Sequence, residues 1–98
     1  MPAIHLLGRV ALMSNSHILL AHGIGAKNTF LPGGHVEHKE AVKNAILREL
    51  RAEFEGEVQI EEFIGVVEHS FQHHAQPYHE LNLLFSARLL YLTSKIIN

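Results

Sequence analysis

Two glutamates one helical turn apart, Glu49 and Glu53, are the residues whose types and spacing could do chemistry in this sequence. They lie in segment 40–54, where apolar residues recur at helical spacing, so we predict a helix there. On a helical wheel both acids fall within the apolar stripe, whereas Arg48 and Arg51 fall on the solvent side. A charged solvent-facing surface therefore accounts for the arginines and not for the glutamates.

A carboxylate at a packed interface costs several kcal/mol unless it is paired, hydrogen-bonded, protonated or bound to a cation. Two carboxylates at positions i and i+4 also repel each other. A divalent cation would relieve both costs, because Mg²⁺ takes oxygen ligands and commonly binds one or two carboxylates together with substrate phosphates. The alternative is that both acids border the stripe and pair with arginines, which is the commoner fate of helix charges.

A longer motif surrounds the two acids. The stretch LPGGHVEHKEAVKNAILRELRAEF resembles the Nudix box of the Nudix hydrolase family, the MutT-like enzymes. That pattern is a Gly, five residues, a Glu, seven residues, Arg-Glu, an apolar residue, any residue, Glu-Glu, any residue and Gly, within a strand, turn and helix. The positions that match in register are Gly34, Glu40, Arg48, Glu49, Leu50 and Glu53.

The resemblance implies a metal site and a reaction. The carboxylates of Glu49 and Glu53, with the backbone carbonyl of Gly33, would hold Mg²⁺ or Mn²⁺. The reaction would be hydrolysis of a nucleoside diphosphate linked to another moiety, in which water attacks phosphorus and the cation offsets the developing charge. Glu49 and Glu53 are therefore also the first catalytic candidates.

The other matching residues would be structural. By resemblance, Glu40 and Arg48 would brace the loop against the helix, and Gly34 would provide a tight turn. Two positions depart from the pattern. Ala52 stands where the first acid of the Glu-Glu pair is expected, which would chiefly weaken a second metal, and the closing glycine is displaced by one to Gly56.

Four residues outside this core are further candidates. Glu80 lies in a strand-like segment and would be a further metal ligand or the base for the attacking water, or else an exposed strand glutamate. Arg9, Lys27 and His35 are candidates for phosphate contacts, against the commoner alternatives of an edge arginine, a solvated lysine and a loop histidine.

The elements that must position these residues follow from hydrophobic patterning and turn residues. The expected fold class is α/β: a Nudix-like sandwich with a mixed β-sheet, one main catalytic helix and a second helix that is missing or shortened. Residues 1–98 would form a single domain, with the box at 34–56. The expected elements are a strand at 4–13, a turn at 14–16, a strand at 17–22, a loop at 23–29, a short extended piece at 30–31, a turn at 32–34, the helix at 40–54, a strand at 57–69 with a bulge at Gly65, and a strand at 78–87.

Composition narrows the class of protein. The chain has 98 residues and a formal net charge of -2, which gives no general attraction to a nucleic-acid polymer. It has no cysteine, which excludes disulfides and thiolate metal sites. It also has no apolar run of membrane-spanning length and no signal-peptide pattern at its start. We therefore expect a cytoplasmic protein that does not act on a membrane. Its partner, by the resemblance to the Nudix family, would be a nucleotide-derived small molecule.

Two features leave alternatives open. His69, His73, His74 and His79 are close in sequence and could bind zinc or copper, although their spacing fits no regular ligand pattern. The tail 88–98 is too short for both a further strand and a covering helix. It could pack as a short strand or helix, a homodimer could cover the sheet, or the chain could be a shortened module that binds nucleotide without catalysis.

Overall fold

The computed structural model describes residues 3–22, 29–53 and 56–92, with only the backbone described at 21–22, 29, 53 and 91–92. The elements in chain order are β1 (Ile4–Ser14), β2 (His17–Leu19), β3 (Ala21–His22), β4 (Thr29–Phe30), β5 (Gly33–His35), α1 (Val42–Glu53), β6 (Gly56–His73) and β7 (Gln76–Leu92). Within the described residues, no helix is long and apolar enough to cross a bilayer.

The main sheet is mixed. Its strand order is β2-β1-β7-β6, and β5 pairs with β1 beside β2. β1 and β7 run parallel, and the other pairs of this sheet are antiparallel. β3 and β4 form a separate two-stranded sheet. The expected mixed sheet with one helix is confirmed for the described residues.

The helix covers one face of this sheet. Ile46 and Leu50 of α1 pack against Val10, Leu12 and Phe85 in the buried core. A Cβ built on Gly8 would lie 2.8 Å from Ile46 Cγ1, so the missing side chain lets the helix approach β1 closely. The face that carries these contacts is called the helix face, and the opposite one the open face.

Strand register assigns the remaining side chains to faces. In the parallel pair, Gly8 lies opposite Leu83 and Val10 opposite Phe85, which puts these residues on the helix face. Since side chains alternate along a strand, Arg9 and Asn82 lie on the open face. Glu80 and Tyr78 share the open face with Asn82, as the alternation in sequence predicts.

The hairpin of β6 and β7 is longer than expected. The strands predicted at 57–69 and 78–87 are observed at 56–73 and 76–92, joined by a two-residue turn in which His74 and Ala75 have φ of 51° and 62°. Continuous cross-strand pairing carries the strands through a polar His- and Gln-rich end that sequence pattern reads as loop. A register shift between Phe63 and Gly65 confirms the predicted bulge.

The ends of other elements also differ from prediction. The second strand is interrupted after Leu19, and Ala21 and His22 pair with β4 instead of β1. The helix begins at Val42, because the chain first makes a turn in which the Glu40 amide donates to the Glu37 carbonyl at 3.0 Å. In the tail, 88–92 continue β7, which is the short-strand outcome for those residues, and 93–98 lie outside the described residues.

Candidate active site

Arg48, in the middle of α1, ties the helix to the loop before it. Its Nε and Nη2 donate to the two carboxylate oxygens of Glu40 at 2.9 and 3.1 Å, and Nη2 also donates to the His35 carbonyl at 3.0 Å. Its Nη1 donates to Glu49 Oε1 at 2.9 Å. The side chain of Arg48 is 39% exposed, in keeping with its solvent-side position on the wheel, and it turns back over the loop to make these contacts.

This bidentate contact also shifts the pKa of both partners. Hydrogen bonds from Arg48 and then from the Glu37 amide lower the pKa of Glu40 below its ordinary value. The same contact with Glu40 raises the pKa of Arg48. Because charge-assisted pairs of this geometry hold both side chains in one orientation, the guanidinium presents a fixed donor to Glu49.

Glu49 lies directly against the backbone of β5. A Cβ built on Gly34 would come within 2.7 Å of the carboxyl carbon of Glu49, so only glycine admits the carboxylate at this place. The expectation that Gly34 provides a tight turn is wrong. Gly34 lies within β5, paired with Gly8, and its small size serves the contact with Glu49.

Gly33 is the residue of this segment that needs a glycine backbone. Its φ is 137°, and a Cβ at this position would overlap the carbonyl oxygen of Gly8. The turn predicted at 32–34 is thus a bend at Pro32 followed by a strand that pairs tightly with β1. The close backbone approach that the glycines permit is an approach to β1.

Both explanations of Glu49 from the sequence have a counterpart in the geometry. Its Oε1 pairs with Arg48, as a helix-border glutamate would, and its side chain is 30% exposed. Its second oxygen has no hydrogen-bond partner among the described residues and is available to a cation. The described part of the chain holds no group of three or more His, Asp or Glu side chains close enough to bind a metal.

A site built from Glu49, the Gly33 carbonyl and Glu53 fits a divalent cation in its chemistry, since all three donors are oxygens. Glu53 is the last residue of α1, and its side chain lies outside the described part. Ala52, which replaces the neighbouring acid of the motif, is exposed.

The structure does not bring Glu80 to Glu49. Glu80 lies on the open face, opposite His5 of β1 and His69 of β6, whereas Glu49 approaches the sheet from the helix face. Its role as a metal ligand or base stays a prediction that these contacts do not favour.

The three candidates for phosphate contacts differ in position. Arg9 lies on the open face and is engaged by Asn82 and the Leu31 carbonyl. His35 is exposed at the end of β5, with its carbonyl bound by Arg48. Lys27 lies outside the described residues.

An aromatic row crosses the open face, and the sequence did not predict it. Ring centroids are 5.3 Å apart for His35 and His5, and 5.8 Å for His5 and Tyr78. Tyr78 and Phe71 are stacked at 5.2 Å with planes 7° apart, and His69 follows at 4.9 Å from Phe71. Four strands contribute to the row, so only the sheet register could have revealed it.

The same register separates the histidines that were considered for a metal. His79 lies on the helix face, where its Nε2 is 2.6 Å from Glu68 Oε2 and its Nδ1 is 3.4 Å from Ser70 Oγ. His69 lies on the open face. Side chains on opposite faces of one sheet cannot bind the same metal ion, so a site formed by all four histidines is not favoured.

Comparisons with known proteins place this geometry in a family. The family model described as NUDIX domain matches residues 5–94. Three similar solved structures are a UDP-X diphosphatase (22% identity, TM-score 0.75), a NUDIX hydrolase from Nitrosomonas europaea (20%, 0.73) and a MutT NUDIX hydrolase from Burkholderia pseudomallei (22%, 0.71). The matches cover 100%, 98% and 98% of this chain.

The chain spans 47%, 64% and 75% of those three proteins, respectively. No match was found among proteins of curated function. The likeness to solved structures thus supports the fold, and the family model covers almost the whole sequence. By that match, with Glu49, Arg48 and Glu40 arranged around the box, the chain belongs to the Nudix family.

Proposed function

We propose that the protein is a divalent-metal-dependent pyrophosphohydrolase that cleaves a nucleoside diphosphate linked to another moiety. The observation that carries this proposal is the position of Glu49, whose carboxylate is held by Arg48 against the side-chain-free backbone of Gly34. An acid fixed at this place, with one oxygen left for a ligand, is suited to binding a cation beside a phosphate.

The chain's own residues would mainly position the reactants. Glu49, Glu53 and the Gly33 carbonyl would hold Mg²⁺ or Mn²⁺, which when bound supplies electrostatic stabilisation of charge on the phosphate oxygens. Arg48 keeps one Glu49 oxygen engaged and so fixes the direction of the other. The Glu40 contact keeps Arg48 itself from turning toward the substrate.

The aromatic row is our candidate for the base of the nucleotide. It starts at His35, next to Gly34, and crosses to β6 over three inter-strand steps, roughly 14 Å at the usual strand spacing. Nucleobases stack on aromatic side chains, and such stacking tolerates any base. A nucleotide with its base near Tyr78 on the open face would have to pass its phosphates round β5, which pairs with β1 alone among the described strands, to reach Glu49 on the helix face.

The alternative is a module that binds nucleotide or metal without turnover. Its support is Ala52, which removes one acid that the family motif carries. In that case the same residues would bind a ligand, and no bond would be cleaved.

The test is to measure phosphate or nucleotide release from a panel of nucleoside diphosphate derivatives, with Mg²⁺, Mn²⁺ or EDTA. Glu49→Gln and Glu53→Gln should lower kcat roughly 100-fold or more, because each loses a negative oxygen ligand. At position 49 the amide oxygen can still accept from Arg48, so the local contact survives. Glu62→Gln, at an exposed acid of β6, is the matched control and should behave as wild type.

Binding measured in parallel separates the two functions. Titration of wild type with Mn²⁺ and with a nucleoside monophosphate requires no turnover. Binding of both without hydrolysis of any compound would favour the binding module. Hydrolysis that persists in both glutamine variants would contradict the proposed site.

A further inference from the structure

Asn82 is the one polar residue that is buried among the described side chains, with 8% exposure. It lies on β7, on the open face, between strands β1 and β6. Its amide oxygen accepts from Arg9 Nε at 3.0 Å, and its amide nitrogen donates to the Val67 carbonyl at 3.4 Å. A buried amide that is satisfied on both sides fixes the groups bound to it, because losing either contact leaves a desolvated polar atom.

Arg9 extends this contact to the segment before the box. Its Nη1 donates to the Leu31 carbonyl at 2.9 Å, and its guanidinium lies 5.5 Å from the centroid of the Phe30 ring. One side chain therefore joins β7 to the chain at Phe30 and Leu31. A planar guanidinium can make these divergent contacts together, and a lysine ammonium cannot.

The backbone of β1 holds the next residues of the same segment. The Val10 amide donates to the Pro32 carbonyl at 3.0 Å, and Gly33 pairs with Arg9 in the antiparallel register. A Cβ on Gly33 would lie 2.8 Å from Arg9 Cα, so the two backbones are in close contact. The path of the chain from Leu31 to Gly33 is thus determined by contacts to Arg9 and its neighbour.

We propose that Arg9 and Asn82 are a positioning pair that fixes segment 31–33, and through it the Gly33 carbonyl, relative to Glu49. Arg9 would then act through its fork of hydrogen bonds and not as a charge that binds substrate phosphate. This inference rests on the proposed function for its catalytic consequence, while the structural part stands on the contacts alone.

The first experiment compares Arg9→Lys with Arg9→Met in steady-state hydrolysis. A positioning role predicts that both variants lose between about 10-fold and 100-fold in kcat with little change in KM. A small displacement of the Gly33 carbonyl relative to Glu49 would be enough for losses of this size. Lysine keeps the positive charge but lacks the branched guanidinium that donates to both Asn82 and the Leu31 carbonyl. Recovery of activity by Arg9→Lys, with a raised KM in Arg9→Met only, would overturn the proposal in favour of a phosphate contact.

Asn82→Leu tests the other half of the pair. It should resemble Arg9→Lys, and the double variant should be no worse than either single one, because residues that act as a unit are not additive. Arg88→Lys is the matched control: Arg88 is an exposed arginine of β7, paired with Gln59 and Glu61, and should leave kcat unchanged. Additive losses in the double variant would contradict a common role.

A readout without turnover keeps this inference separate from the proposed function. Amide hydrogen exchange should accelerate at Val10, whose amide donates to the Pro32 carbonyl, by about tenfold or more in Arg9→Lys and Asn82→Leu, while the amides of α1 keep their protection. If wild type hydrolyses nothing, the proposed function fails and this measurement still decides on the positioning. Unchanged exchange at Val10 in both variants would overturn it.

Discussion

Two regions of the molecule hold their candidate residues by different means. The box side consists of β5, the loop after it and α1, and the hairpin end consists of the open face beside the turn between β6 and β7. Near α1, Glu49 is fixed by a charged hydrogen bond from Arg48 and by contact with the backbone of Gly34. On the open face, Tyr78 is held by ring contacts to His5 and Phe71. Charged and backbone contacts allow one geometry, whereas ring contacts tolerate small displacements. We therefore expect the rate of the chemical step to depend on the first region and the affinity for the ligand on the second.

Substitution of a glycine should break the box side most severely. Gly33→Ala puts a methyl group into the Gly8 carbonyl at a φ of 137°, which suits glycine alone. We expect the free energy of unfolding to fall by about 3 kcal/mol or more, measured by urea denaturation. Gly65→Ala is the control, because nothing lies within 4 Å of its Cβ position. Its stability should change by less than about 1 kcal/mol, and equal losses in both variants would contradict this account.

Loss of the Arg48 contact should weaken the box side in a pH-dependent way. The pKa of Glu40 is lowered in the folded protein by Arg48 and by the Glu37 amide, so its contribution to stability is present above the ordinary glutamate pKa of 4.5 and is lost as pH falls through the lower folded value. Wild type should therefore lose stability on acidification from just above pH 4.5 downward.

Arg48→Met should make this part of the stability profile shallower, with a smaller total loss than Gly33→Ala. Urea midpoints from neutral to acid pH measure it. Arg51→Met removes the same charge from an exposed position of α1 and should keep the wild-type slope. If the stability of Arg48→Met falls with pH as steeply as that of wild type, the acid-dependent loss of stability does not depend on the contact between Arg48 and Glu40.

The smallest effect should come from the aromatic row. Tyr78→Leu removes the central ring and should raise KM for the nucleotide substrate about fivefold, at roughly 1 kcal/mol of stacking, with kcat nearly unchanged. Tyr78→Phe should keep the wild-type KM, since the ring remains. Phe63→Leu removes an exposed ring from the helix face and is the control. A fall in kcat with unchanged KM in Tyr78→Leu would contradict a role in binding the base.

Much of the box side could be predicted, because its information is local in sequence. The spacing from Gly34 to Glu53 and the apolar repeat indicate the helix and the resemblance to the family. The role of Gly34 does not follow from the motif, since the contact that requires a glycine comes from Glu49 on another element. A wheel describes Cβ directions and not where a long side chain ends, so it indicates the solvent side for Arg48 but not its contacts with Glu40 and Glu49.

The open face could not be predicted to the same extent. Arg9 and Asn82 are 73 positions apart, and no pattern in sequence links them. The aromatic row depends on pairing across four strands, and a shift of one residue in register would send Phe71 or Tyr78 to the other face. The bulge near Gly65 contributes to that register, so the arrangement becomes visible only with the sheet.

Strand β6 also has a consequence for solubility. It has 18 residues at the edge of the sheet, and Phe63, Ile64, Val66 and Val67 on it are each at least half exposed, at 54%, 57%, 54% and 50%. Such an edge invites backbone pairing with another extended chain and hence aggregation. The irregular pairing between Ile60 and Gly65 interrupts the run, and the exposed acids Glu61 and Glu62 lie inside it. Bulge and charge together act as gatekeepers that limit how far a foreign strand can add along this edge.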